Sequence, residues 1–218
     1  MPAAALKSEF QSLLGGHLDW QSRPRPELLP TAIPEIQLPR GCLTEVFGPA
    51  SSGRTTVLYA SLAAATSRDE VCALVDADDV FDPASAAAAG VLLDRLLWVR
   101  CAHQAEHALK AADLLIQGGG FGLVAMDIGD TPVPTAQRIS LTSWFRLRRA
   151  VEHTPTILLA LARRSNAKTC ASLAIECRRE LALWSGSHPG RLLRGIRTRV
   201  ISTERSKACS PVFTAKAI

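Results

Sequence analysis

GPASSGRTT, residues 48–56, lies between a short apolar run, CLTEVF (42–47), and a longer one of helical character, TTVLYASLAAAT (55–66). In a strand–loop–helix order, glycines at Gly48 and Gly53 let consecutive backbone N–H groups turn inward around phosphate oxygens, and the helix N-terminus adds positive potential. The pattern G-x-x-x-x-G-[KR]-T is a phosphate-loop signature in the context it requires, and Thr55 takes the place of the hydroxyl that ligates Mg²⁺. Arg54 stands where lysine is usual. Lysine is a compact point charge, whereas guanidinium is planar and forked, so the exchange keeps charge and alters geometry. Phosphoryl transfer rests almost wholly on positioning, so the loop predicts a site that holds anionic oxygens and cuts between them poorly.

Beyond the loop, short apolar runs alternate with helical ones: VCALVDAD (71–78) then PASAAAAG (83–90), LLWVRC (96–101) then QAEHALKAADLLIQ (104–117), FGLVAMD (121–127) then AQRISLTSWFRLRRAV (136–151), and finally TILLALA (156–162). Continuous apolar runs separated by helices are what a parallel sheet covered on both faces requires, which makes the class α/β. The tail differs. SLAIECRREL (172–181) and GIRTRVISTE (195–204) alternate β-formers with polar residues around SGSHPG (185–190), and predict antiparallel strands added at the sheet edge. Residues 1–40 hold one short amphipathic stretch and the proline-rich SRPRPELLPTAIPEIQLPR (22–40), an N-terminal arm and linker leading into a single domain over 41–218.

The 218 residues are 47% hydrophobic and 21% charged, which suits one compact core. Residues 1–130 carry 9 Lys and Arg against 16 Asp and Glu, and residues 131–218 carry 16 against 4, so a net −7 precedes a net +12. That segregation points the second half towards a polyanion or an acidic protein; the alternative is a solvated face whose arginines neutralise the acidic half of the same fold. Arg146, Arg148, Arg149, Arg163, Arg164, Lys168, Arg178 and Arg179 are candidate phosphate contacts for single-stranded DNA. Trp144 and Phe145 either stack on bases or, with Leu141 and Leu147, pack their helix onto the sheet. No run approaches the length of a membrane span and MPAAALKSEF lacks a signal-peptide core, so a cytoplasmic protein with no membrane partner is expected. The six cysteines form neither a C-x-x-C pair nor a zinc set, and His103 with His107 lacks a third ligand.

Two further carboxylate groups bear on chemistry. Asp76, Asp78, Asp79 and Asp82 follow the strand VCALV, at the crevice where α/β sheets bind ligands; one of them could orient water, or they are loop acids at a helix start. Asp127 ends GLVAMD, the usual place for an acid that holds a metal through water.

Taken in order, LPRGCLTEVFGPASSGRTT, LVDADDVFDP and LVAMDIGD resemble the RecA recombinase core over about residues 38–130, with a looser likeness in SLAIECRRE and RSKACSPVF. The resemblance implies a RecA-like P-loop NTPase fold: a mostly parallel central sheet flanked by helices, with antiparallel strands C-terminally. It implies ATP and Mg²⁺, with Gly48, Ser51, Ser52, Gly53, Arg54, Thr55 and Thr56 around the triphosphate and metal, and Asp127 as the second metal-shell acid. Asp78 stands at the family's catalytic glutamate, one methylene shorter. Arg205 and Lys207 match a basic pair that reaches a neighbouring subunit's ATP, which implies a homo-oligomer.

The departures carry as much weight. Ser85 replaces the aromatic on which the family stacks adenine, Leu161 or Ala162 falls at its glutamine sensor, and RRSNAKTCASLAIECRR shortens its glycine-rich DNA-binding loop. A RecA-like core altered in these ways, with a basic C-terminal half, is similar to the ImuA group of accessory proteins in SOS mutagenesis. That likeness implies an adaptor for translesion synthesis that partners polymerase components or other DNA-repair proteins and has weak or no ATP hydrolysis. The alternative is an active DNA-dependent ATPase that forms filaments on single-stranded DNA.

Overall fold

The computed structural model of the protein describes residues 26–204, 208–209 and 212–216. Strands β1 (Leu28–Pro30) and β2 (Gln37–Pro39) form an antiparallel ribbon. The central sheet then builds up from β3 (Leu43–Phe47), β4 (Cys72–Asp76), β5 (Leu96–Arg100), β6 (Leu123–Ile128), β7 (Ile157–Ala162), β8 (Leu173–Ser185), β9 (Leu192–Glu204), β10 (Ala208–Cys209) and β11 (Val212–Lys216). Its order is β10-β9-β8-β3-β7-β6-β4-β5, with β11 also on β9. From β8 to β5 neighbouring strands run parallel, and β9, β10 and β11 are added antiparallel, as the two sequence patterns predict. The α/β class with a mostly parallel sheet and C-terminal antiparallel strands therefore holds.

The helices are α1 (Arg54–Thr66), α2 (Pro83–Ala88), α3 (Ala105–Gly118), α4 (Val133–Ala136) and α5 (Leu141–Val151). One face of the sheet is covered by α1 through Val57, Leu58, Leu62 and Ala65. The other is covered by α3 and α5 through Ala108, Ala112, Ile116, Trp144, Leu147 and Val151. Strands β3, β4, β6 and β7 are buried on both faces, which is why β4, β6 and β7 read as nearly unbroken apolar runs; β3 buries Thr44 and Glu45 among its apolar residues. Trp144 is fully buried, a contribution of roughly 2–3 kcal/mol, whereas Leu141 and Phe145 of the same helix are exposed. The inward stripe of α5 is thus Trp144, Leu147 and Val151, narrower than the sequence face suggested.

The proline-rich segment is seated on the α1 face. Leu29, Ile33, Ile36 and Leu38 join that core, and Arg40 ties the end of the ribbon to Glu70 (3.1 and 2.5 Å) and to the Pro155 carbonyl (3.1 Å). Prolines deny this stretch a helix, and alternate apolar side chains still give it a face to bury.

Candidate nucleotide-binding site

The loop between β3 and α1 is pinned at both ends. The Gly48 N–H donates to the Ala162 carbonyl (3.2 Å), and a Cβ on Gly48 would collide with the Cys177 carbonyl and lie 2.7 Å from Ser52 Oγ. Gly53 turns into α1 at φ +97°, and a Cβ there would fall 2.6 Å from Thr198 Oγ1. That same hydroxyl donates to the Ser52 carbonyl (3.0 Å) from a fully buried position on β9. Both glycines are required by close approach of other strands, and the antiparallel tail braces the loop.

No side chain caps α1, so its first N–H groups remain available to an anion. Ser51 sits at φ +56°, and Ser52 Oγ is buried with no hydrogen-bond partner among the described residues. An orphaned buried hydroxyl is costly, which marks the loop as a place built to receive something.

A cavity of about 110 Å³ opens beside the loop, lined by Arg54, Thr55, Tyr59, Phe81, Asp127 and Asp130 among others. Arg54 is only 10% exposed along its side chain; Nη1 donates to the Gly129 carbonyl (2.9 Å), and Nη2 lies 3.8 Å from Asp130 Oδ1. Asp127 Oδ1 accepts from the Gly129 N–H (2.7 Å). Burial pushes the Asp127 carboxyl up to about 6, against the pull of that N–H and of Arg54. Strand β7 lies between β3 and β6, so the loop and Asp127 face each other across Leu161, which lines the cavity.

The structure therefore gathers Gly48, Ser51, Ser52 and Gly53 into the loop and brings Arg54, Thr55 and Asp127 to one cavity; Thr56 follows on α1 outside the lining. Asp78 is not brought there. Its Oδ2 accepts from Thr131 Oγ1 (2.6 Å) and Oδ1 lies 3.9 Å from His103 Nδ1. The other three acids of that group hold local structure. Asp76 accepts from the N–H groups of Asp78, Val80 and Phe81 and from Trp98 Nε1. Asp79 pairs with Arg100, which lowers its pKa. Asp82 caps α2 through the N–H groups of Ala84 and Ser85 and takes the Ser85 hydroxyl (2.5 Å), so Ser85 is spent on the helix start. Arg205 and Lys207 lie outside the described residues.

The sequence reading gave no part in this site to Tyr59, Phe81, Asp130 or Arg163. Tyr59 and Phe81 meet edge to face (centroids 6.0 Å, 84°), and Phe81 continues to Trp98 (5.2 Å), giving the cavity an aromatic wall. Tyr59 follows Thr55 by four residues, a helical spacing that could have announced a shared face. Asp130 was hidden in the turn IGD. Arg163, read as a nucleic-acid contact, donates Nε to the Gly129 carbonyl (3.1 Å) and pairs with Asp130 (3.2 Å).

Among the other basic candidates, Arg146 pairs with Asp113, Arg148 with Glu152 and Arg178 with Glu176, whereas Arg149, Arg164, Lys168 and Arg179 form no ion pair among the described residues. No cluster of metal-binding side chains occurs among the described residues, and no described helix is long and apolar enough to cross a membrane.

Comparison with known proteins shows the family to which the chain belongs. Residues 28–139, just over half of the chain, match the family model for the RecA N-terminal domain. RecA of Borrelia hermsii (strain HS1 / DAH) is 38% identical over 110 residues, 50% of this chain and 31% of that protein. RecA of Kineococcus radiotolerans is 37% identical over 141 residues, 62% of this chain and 40% of that protein, and RecA of Blastochloris viridis is 40% identical over 100 residues, 46% and 28%. The matched part thus amounts to about a third of the length of these relatives. With its phosphate loop, strand-end acid and parallel sheet in matching order, the chain belongs to the RecA family.

Proposed function

We propose that the chain is an ATP-binding accessory protein of bacterial DNA repair, an adaptor in SOS translesion synthesis that hydrolyses ATP weakly or not at all. Proteins of the RecA family bind ATP with Mg²⁺ and act in recombination and DNA repair. The observation that carries the reading here is the pairing of an open loop with an engaged arginine. The uncapped start of α1 and the orphaned Ser52 Oγ offer donors to phosphate, while Arg54 is held at Gly129 and Asp130. Asp78 is committed to Thr131, outside the cavity, so no carboxylate in the family's catalytic place faces the phosphates to position water. The aromatic wall of Tyr59 and Phe81 gives the base a surface in the absence of an aromatic at Ser85.

Arg149, Arg164, Lys168 and Arg179 remain for a polyanion or an acidic partner, with the polymerase components of translesion synthesis as the partners most in keeping with the ImuA likeness. Titration calorimetry with ATP, together with phosphate release measured with and without single-stranded DNA, tests the reading. Binding without DNA-stimulated release supports it. Stimulated release that Asp127→Asn abolishes, with filaments in electron micrographs, replaces it with the active ATPase. Recovery of polymerases by co-purification from DNA-damaged cells separates the adaptor from a general repair factor.

A further inference from the structure

The site carries a cation of its own beside the carboxylate to which the family likeness assigns a metal. A Cβ on Gly129 would fall 2.5 Å from Arg54 Nη1 and 2.7 Å from Asp127 Oδ1, so guanidinium and carboxylate flank the same residue of the turn without forming an ion pair. Asp127 Oδ1 already accepts the Gly129 N–H. Arg54 is anchored by one hydrogen bond to the Gly129 carbonyl and by Asp130, which leaves most of its five N–H donors unused. Thr55, the other residue assigned to the metal, lines the same cavity as the guanidinium.

Mg²⁺ does not suit this arrangement. It demands near-octahedral oxygen ligands and sheds water reluctantly, and here it would lie near a bulky neighbour of the same sign, beside a carboxylate whose Oδ1 is already taken by the Gly129 N–H. The lysine usual at this position has a compact ammonium that reaches the phosphates and leaves room beside it for the metal. The planar fork of Arg54 is bulkier and is anchored to Gly129.

Resting on the reading that this loop holds ATP, we infer that ATP binds here without Mg²⁺, its terminal phosphates neutralised by the Arg54 guanidinium and the open N–H groups of α1. The inference concerns binding alone and requires no hydrolysis.

The test is equilibrium titration of the full chain with ATP in Mg²⁺ and in excess EDTA. The dissociation constants in the two media are expected to agree within about threefold, and Arg54→Lys is expected to make binding depend on Mg²⁺ by about tenfold or more. Wild-type protein that binds tightly in Mg²⁺ and about tenfold more weakly in EDTA overturns the inference and leaves ATP binding standing. Failure to bind in either medium removes the proposed function, and the inference with it. The wild-type comparison decides the matter even if the lysine variant does not fold. An Arg54→Lys protein that folds and remains indifferent to EDTA overturns the role given to the guanidinium.

Discussion

Arg54 and Arg163 donate to the same acceptor: Nη1 of the first and Nε of the second lie 2.9 and 3.1 Å from the Gly129 carbonyl oxygen, and both side chains pair with Asp130. The first helix after the loop and the segment after β7 are thereby joined through a single backbone group on the turn following β6. Because Arg163 still serves that carbonyl when Arg54 is removed, Arg54→Ala is expected to leave stability within about 1 kcal/mol of wild type. The same variant should weaken ATP binding about tenfold or more, since a charge-assisted phosphate contact is lost. Urea unfolding and calorimetric titration of one preparation check both halves.

Glu45 is fully buried in β3, where Oε1 accepts the N–H groups of Asn166 (2.6 Å) and Ala167 (2.9 Å) and Oε2 accepts the Ser165 hydroxyl (2.7 Å). It fastens the segment that follows β7 onto the central strand. Glu45→Ala strands three donors without acceptors and is expected to cost about 3 kcal/mol or more. Glu45→Gln keeps one acceptor oxygen and should cost less than half of that. Chemical denaturation of the pair of variants measures the difference.

Burial holds the Asp127 carboxyl at about 6 in the folded chain, above the roughly 3.9 of an unfolded aspartate. Between about pH 4 and pH 6 the folded state therefore binds more protons than the unfolded one, and this residue's contribution to stability falls as pH rises through that window. Asp127→Asn retains an acceptor for the Gly129 N–H and abolishes the slope. In EDTA-containing buffer it is expected to match wild type near pH 4 and to exceed it by about 1–3 kcal/mol at pH 8. Urea midpoints across that range read out the effect.

Gly53 and Thr198 form a matched pair of close surfaces. Gly53→Ala places a Cβ 2.6 Å from Thr198 Oγ1 at a φ of +97°, and is expected to destabilise by about 2–4 kcal/mol. Thr198→Ala removes the hydroxyl and its bond to the Ser52 carbonyl at about 1 kcal/mol. Since the second change relieves part of the clash introduced by the first, the double variant should be more stable than the sum of the single losses by about 1 kcal/mol. A four-corner denaturation cycle gives that coupling directly.

Tyr59 and Phe81 wall the cavity with aromatic faces, so Tyr59→Ala should weaken ATP binding about three- to tenfold and leave tripolyphosphate binding unchanged. Competition titrations with the two ligands separate base contact from phosphate contact.

The sheet was legible because its strands are buried on both faces. CALVD, LVAMDI and ILLALA are almost wholly apolar, and their spacing leaves room for helices between them. The loop was legible because its glycines and hydroxyls are contiguous in sequence. What depends on distant partners was not. The family likeness implies a catalytic place for Asp78, and only the three-dimensional fold places Thr131 against it. Ser85 reads as a lost stacking residue, and its hydrogen bond to Asp82 shows it closing a helix start. Arg163 sits in a basic run that reads as a polyanion surface, yet its guanidinium turns inward to Asp130, more than thirty residues away in sequence. Phe145 and Leu141 follow helical periodicity and still point outward, because α5 meets the sheet along one narrow stripe.

The hydroxyl of Thr198 reaches the Ser52 carbonyl from the far end of the chain. A fragment excised at the limits of the recognisable family segment, residues 28–139, would leave that carbonyl open and strip Gly53 of the wall it leans on. The loop is thus no autonomous module here: the C-terminal antiparallel strands are a structural part of it, and any strain on β9 is felt directly at Ser52 and Gly53.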